Sequence, residues 1–455
     1  MTGRILAATL CLVLLSACAP IDANIADMLS PPWINERQAE VVQALRAHIG
    51  QAAFEDIQFQ HPREGDYRSP FVFSDMDGSG LSEAIVFYTS GQGGGGIRVK
   101  VLREQAGGDW LIVDDLAGFG DTVQIVRFAY LMGPYTRSFL VGWEDSASGQ
   151  RRLDVFSFRD GRLQTLYRTS YTVFDIDRFK PGPLEQIALV RRDQFGHHQL
   201  DLLGRTPDGR LTAVGEASLS RDILQVVNLT RGSMRPGASG IFIDARLLSD
   251  NQSLATEIFE VSARGLTALV ADVEPEVINV LYRQTQRPMN PALLSVDLRR
   301  NGRVVVPIPS EEDLPGLVTE HYELEPLSLT LFMGYNYAGI LEVVDTAAVN
   351  TESGYLFFFP ERWVGHVTIQ RRPERNERNT WHFYEVNPLT NLPHRELLRI
   401  RVYSIQDYRD PQLMEGYLRL ADRGIFQYYA YLPDSRSALA LTQEEMQEHF
   451  MLTNN

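Results

Sequence analysis

The densest run of chemistry-bearing residues in this chain is Asp75-Met76-Asp77-Gly78-Ser79-Gly80-Leu81-Ser82-Glu83. Asp75, Asp77 and Ser79 place an oxygen at every second position, the Leu81 carbonyl continues the series, and Glu83 closes it with a carboxylate. Oxygens projected inward from one tight loop can surround a hard cation, and Gly78 and Gly80 permit the curvature that this needs. The simpler reading of the same residues is an Asp/Gly-rich hairpin turn that binds nothing. The other reactive group is a thiol. The 455 residues include 2 cysteines, Cys11 and Cys18, so the chain beyond residue 18 has no disulfide, cysteine metal site or cysteine nucleophile.

Motifs of enzyme chemistry are missing. There is no H-E-x-x-H, no G-x-S-x-G, no phosphate loop and no G-x-G-x-x-G opening a helix. Gly93 to Gly96 joins two strand-like runs and lacks the helix N-terminus on which phosphate cradling depends. Of 9 histidines only His197 and His198 adjoin, and neighbours on a strand face opposite ways. A glycosidase needs two carboxylates about 5–10 Å apart; 58 acidic residues neither single out such a pair nor exclude one. A net charge of -15 without a concentrated basic segment argues against a nucleic-acid partner. With 44% apolar and 22% charged residues the composition is that of a folded globular chain.

The elements that would position these residues are strands. From Phe59 onward the sequence runs in alternating, β-branched and aromatic segments broken by Gly, Asp and Asn. One set covers 69–74, 84–88, 97–102 and 110–113. Its successors cover 123–130, 138–143, 153–158 and 163–167, then 171–176, 185–190, 199–203 and 211–214, then 223–229, 240–245, 255–261 and 266–270. Each set holds four strands, and the first strands recur roughly every 50 residues, the period and strand count of propeller blades. A fifth unit is expected from Glu276 to about Val344. Ahead of the repeats, Asn35 is placed as the N-cap of a short helix with Val41, Leu45 and Ile49 on one face and Gly50 at its end. After Val344 the rhythm stops. Tyr355 to Pro360, Trp363, further strands to Leu432 and a last helix capped by Thr442 and Glu445 read as a small α+β domain. Phe357 to Phe359 and Trp363 read as its core, although aromatic density of this kind also suits a ligand platform. The expected organisation is therefore mainly β: 1–17 as signal peptide, 18–58 as tether and helix, 59–345 as propeller-like repeats of about five four-stranded units, and 346–455 as the α+β domain.

Three resemblances extend this reading. Arg4, the apolar run Ile5 to Leu15 and Leu15-Ser16-Ala17-Cys18 resemble the signal peptide and lipobox of bacterial lipoproteins; the apolar run is too short to span a membrane. The resemblance implies cleavage before Cys18, lipidation of its sulfur, and firm anchoring of the chain outside the cytoplasm by several acyl chains. The Asp75 to Glu83 run resembles the calcium loop of the integrin-type FG-GAP propeller repeat, which implies Ca2+ held by Asp75, Asp77, Ser79, Leu81 and Glu83. It departs from that family in having Ser at the fifth position and Glu at the ninth, and the third block keeps only Asp175-x-Asp177. The chain as a whole resembles uncharacterised clostridial-type lipoproteins with degenerate repeats of this kind, through the lipobox, Ser74 to Phe87, Phe139 to Trp143, Leu294 to Pro309 and Gly354 to Thr368. That family carries no established activity. The expected role is a non-catalytic envelope protein that binds a protein or glycan, with a polysaccharide hydrolase or lyase using a carboxylate cluster on the propeller axis as the alternative.

Overall fold

The structure is a computed structural model, and it describes residues 35–91, 96–235, 238–262, 265–269, 284–316, 328–335, 341–372, 377–404, 415–433 and 436–453. Cys18, the tether, the first three residues of the Gly93 to Gly96 run, Glu276 and the turn around Glu374 and Arg375 lie outside them. Among the described residues no helix is long and apolar enough to cross a membrane.

Among the described residues, strand alternation yields six antiparallel sheets. The first holds β1 (Ile57–Phe59), β2 (Phe71–Ser74), β3 (Glu83–Ser90), β4 (Arg98–Glu104) and β5 (Trp110–Ala117). The second is the meander β6 (Thr122–Ala129), β7 (Ser138–Asp145), β8 (Gln150–Arg159) and β9 (Arg162–Ser170), and the third is β10 (Val173–Asp177), β11 (Gln186–Arg192), β12 (His198–Arg205) and β13 (Leu211–Ser218). The fourth runs through β14 (Ile223–Arg235), β15 (Ala238–Leu247), β16 (Ser253–Ser262) and β17 (Gly265–Ala268), with β18 (Arg287–Pro288) added to β16. First strands thus start at Phe71, Thr122, Val173 and Ile223, close to the expected interval. Each of these four units is a hairpin-connected meander of the propeller-blade kind.

The sheets pack face to face in sequence order, as blades do. Ile85, Phe87 and Val99 of the first sheet meet Val126, Phe139 and Trp143 of the second. Leu140 and Val155 of the second meet Ile187 and Leu203 of the third. Val190 and Leu202 of the third meet Val226 and Ile243 of the fourth. Among the described residues, each apolar core that joins two sheets joins consecutive ones, and none joins the first sheet to the fifth or sixth. The free face of the first sheet is covered instead by α1 (Glu36–Ile49), whose Val41 and Leu45 pack on Phe71, Ala84 and Val86. The helix starts where expected: Asn35 accepts from the Gln38 N–H at 2.8 Å, and Gln38 accepts from the Asn35 N–H at 3.1 Å. A short α2 (Gln51–Glu55) then leads into β1.

The region beyond the fourth sheet departs from the expected division. The fifth sheet comprises β19 (Val306–Asp313), β20 (Ser328–Tyr335), β21 (Leu341–Asn350), β22 (Tyr355–Phe358) and β28 (Phe450–Leu452). The boundary placed between 345 and 346 therefore falls inside β21, and two strands assigned to the terminal segment complete the fifth sheet. The change of rhythm after Val344 marks the long detour taken before β28 returns, not the end of the sheet. That detour is the sixth sheet, β23 (Val367–Arg372), β24 (Glu377–Asn387), β25 (Leu392–Ser404), β27 (Phe426–Tyr431) and β26 (Leu418–Arg423), followed by α3 (Gln443–His449). Thr442 and Glu445 form the expected capping box on α3. Phe357, Phe359 and Trp363 are buried against Trp381, Phe383 and Ile400 of the sixth sheet, so these rings are core.

Candidate functional site

The Asp75 loop joins β2 to β3, and its shape follows from its own side chains. Asp75 accepts from the N–H groups of Gly78 at 2.8 Å, Ser79 at 3.1 Å and Gly80 at 2.9 Å. Asp77 accepts from the Ser79 N–H at 3.1 Å, and the Ser79 hydroxyl accepts from the Leu81 N–H at 3.4 Å. Gly78 and Gly80 have φ of 75° and 85°, where residues with a Cβ are strained. At Gly78 a Cβ would also come within 2.7 Å of the Tyr135 carbonyl oxygen. The loop is wedged against the β6–β7 connection, where Arg137 donates its N–H to the Met76 carbonyl at 2.9 Å.

Asp75, Asp77 and Glu83 each offer a carboxylate oxygen, and these lie within 4.8 Å of one another, close enough to hold a metal ion. The structure thus gathers three of the five expected ligand residues. The Ser79 hydroxyl is turned toward the Leu81 N–H. A residue absent from the sequence-based set occupies the same oxygens. Arg103, on β4, lies directly opposite Glu83 in the β3–β4 register. It donates Nε–H to Glu83 at 3.0 Å and a terminal N–H to Asp77. Its guanidinium also lies over the Phe158 ring of the second sheet, 4.8 Å from the centroid. Glu83 is wholly buried and takes a second bond, at 2.9 Å, from the Met76 N–H. Burial pushes the Glu83 carboxyl up, against the opposing pull of that bond and of Arg103. The cation that faces two of these three carboxylates, Asp77 and Glu83, is Arg103. The one signal that could have found it is register, since a strand pairing Glu83 with its hairpin partner brings Arg103 alongside.

The other acidic candidates are resolved differently. Asp175 and Asp177 lie within β10, not in a loop. Asp177 accepts from Arg231 of β14 at 3.2 Å, while burial raises the Asp175 carboxyl, with Asp177 adding to the effect. Asp297 makes a turn, accepting from the N–H groups of Asn301 at 3.0 Å and Gly302 at 2.7 Å, and Arg299 reaches away to Asp345 at 2.7 Å. The third strands hold a feature that the sequence reading missed. Lys100, Asp154 and Asp201 occupy the same place in the first three sheets, each just ahead of a bulge, and each is at most 5% exposed. Lys100 donates to Asp115 at 2.6 Å, Asp154 accepts from Arg168 at 2.7 Å, and Asp201 accepts from Arg191 at 2.5 Å. The sign of the buried charge changes between repeats while its neutralisation is kept, as low-dielectric packing demands.

In the fourth sheet Asp244 is saturated. It accepts from Arg287 at 2.7 Å, Thr256 at 2.6 Å, the Ser295 hydroxyl at 2.7 Å, the Ser295 N–H at 2.7 Å and Asn228 at 2.9 Å. Both partners of the Asp244–Arg287 pair are fully buried.

No protein-family model and no curated protein sequence matches the chain. Among solved structures it is similar to Sqt1 from Chaetomium thermophilum, with 11% identity, a TM-score of 0.31, and cover of 76% of this chain and 81% of that one. It is also similar to the β-propeller domain of the Trilobed protease from Pyrococcus furiosus, with 8% identity, a TM-score of 0.29, and cover of 67% and 80%. A mutant levansucrase from B. megaterium gives 8% identity, a TM-score of 0.28, and cover of 65% and 86%. Likenesses this distant carry no argument about activity, and the propeller-like assignment rests on the sheets themselves.

Proposed function

We propose that this chain is a lipid-anchored, non-catalytic envelope protein whose propeller-like body binds a protein or glycan. The observation that carries the non-catalytic part is the state of the buried acids. Among the described residues, all four fully buried carboxylates, Glu83, Asp154, Asp201 and Asp244, are paired with an arginine of the same chain. Acid–base catalysis needs a carboxyl free to exchange its proton with substrate, and these four are committed to structure. The anchoring part is supported by Leu15-Ser16-Ala17-Cys18. Cys18→Ala is expected to move the protein out of the detergent phase, and continued partitioning with membrane would remove the anchor from the proposal. For the binding part, the soluble chain beginning after Cys18 is to be presented to intact envelopes and to purified envelope polysaccharides. Saturable binding without product release supports the reading.

The hydrolase alternative has one observation in its favour. Asp175 is raised by burial beside an Asp177 that Arg231 holds, a division of environments typical of acid and base pairs. Release of reducing ends from an envelope polysaccharide, lost in Asp175→Asn, would replace the binding reading with this one. Calcium enters only conditionally: the loop's oxygen set suits that ion, and Arg103 already bonds two of its three carboxylates.

A further inference from the structure

The geometry points to Arg103 as the built-in cation of the Asp75 loop, so that the loop keeps its fold without a divalent metal and accepts one only when Arg103 is removed. Three observations support this. The guanidinium bonds Asp77 and Glu83 at once, two of the three carboxylates that lie within 4.8 Å of one another. An ion placed among those three would compete for the same oxygens and add its charge beside a guanidinium that cannot deprotonate. Second, Arg103 is held from outside the loop. Its place on β4 opposite Glu83 is set by the strand register, and its outer face rests on Phe158. A cation–π contact with a neighbouring sheet restrains the side chain from swinging clear. Third, two of the remaining oxygen groups of the loop accept from its own backbone, Asp75 from three N–H groups and Ser79 from the Leu81 N–H. The loop therefore closes on its own backbone and on one arginine.

The arrangement also gives Arg103 a task that a metal confined to the loop would not perform. It ties the first sheet to the second through Phe158, at the junction where Met76 bonds Arg137 and Gly78 fits under Tyr135. The arginine thus serves both as counter-ion and as an inter-sheet clamp. This inference concerns only the cation at the loop and stands apart from the anchoring and binding reading.

The test uses the full-length chain in detergent, with terbium luminescence and thermal melting as readouts. Wild type is expected to show no saturable terbium signal and the same melting temperature in chelator and in millimolar calcium. Arg103→Met, which keeps the apolar stem, is expected to gain terbium binding at least tenfold tighter than wild type, competed by calcium, and a melting temperature that calcium raises. Asp77→Ala in that background should abolish both gains. Tight terbium binding by wild type, or calcium-dependent melting of wild type, overturns the proposal without reference to any variant. A folded Arg103→Met that gains no metal response also overturns it. If Arg103→Met does not fold, Arg103→Gln, which also removes the charge, replaces it, and there a calcium-competed terbium signal absent from wild type supports the proposal and its absence from a folded variant overturns it.

Discussion

The Asp75 loop and the Asp244 network use the same chemistry, a carboxylate facing an arginine, in opposite ways. At Asp244 both partners are sealed from solvent, and five donors use the carboxylate's capacity while Arg287 also donates to Leu293, Thr256 and Thr285. At the loop, Glu83 is sealed, but Arg103 and Asp77 each keep about a quarter of their side-chain surface in water, 27% and 26%. The saturated network fastens the 285–295 segment across the fourth sheet, and its donors and acceptors are mutually committed. The loop is anchored at one end and solvated at the other, so its cation is exchangeable by mutation. Burial of both partners is what separates a structural ion pair from one that an outside ion can contest.

Breaking the sealed pair should cost most. Arg287→Met leaves Asp244 charged and buried, an expected loss of about 3–5 kcal/mol in urea unfolding. Arg287→Met combined with Asp244→Leu should recover much of that loss, because no buried charge is then stranded. A double variant as unstable as the single one would mean that the other donors, not the charge pair, matter most. At the loop, Arg103→Met should cost less, about 1–2 kcal/mol, since water can still reach Asp77. Its pH dependence has a defined sign. Burial raises the folded Glu83 carboxyl above its unfolded value, so its contribution is most favourable below that value and is lost as pH rises. Removing Arg103 strengthens this trend, and the variant should lose more stability than wild type between pH 5 and pH 7, with Glu83→Gln in the same background flattening the difference.

A smaller effect separates the two regions by screening. Raising salt from 0.05 to about 0.5 M should shrink the cost of Arg103→Met and leave that of Arg287→Met unchanged, because buried pairs are screened far less. Equal salt sensitivity would erase the contrast. The least effect is expected at His198, which is 3% exposed. Burial and then Arg192 hold its imidazole below the usual range, so stability falls as pH drops through the unfolded value of 6.5. His198→Leu should reduce that fall in melting temperature between pH 7 and pH 5.

Much of the fold was legible because local patterns control it. Alternation placed the starts of four strands in each of the first four sheets within a few residues, though not the added β1 and β18, and the Asn35 and Thr442 caps sit where their side chains can satisfy orphan N–H groups. The end of the fifth sheet was not legible, since β28 reaches β22 only after the whole sixth sheet and α3 have intervened, and strand pairing over that distance leaves no periodic trace. The acidic part of the candidate site was legible and its cation was not. Asp75, Asp77 and Glu83 announced themselves by spacing, but Arg103 reads locally as one charge at the end of an apolar strand.

By itself, then, the sequence determined the repeat, the strand and helix positions, the tight loop of Asp75 to Glu83 and the thiol-free chain beyond Cys18. Those depend on side-chain alternation, on backbone preferences at Gly and Asp, and on residue counts. Only the tertiary structure decided which arginine neutralises which carboxylate, that α1 rather than another sheet covers the first one, and that the cation at the loop is a guanidinium. Charges pair across space according to register and burial, and neither quantity is carried by residues that are neighbours in the chain.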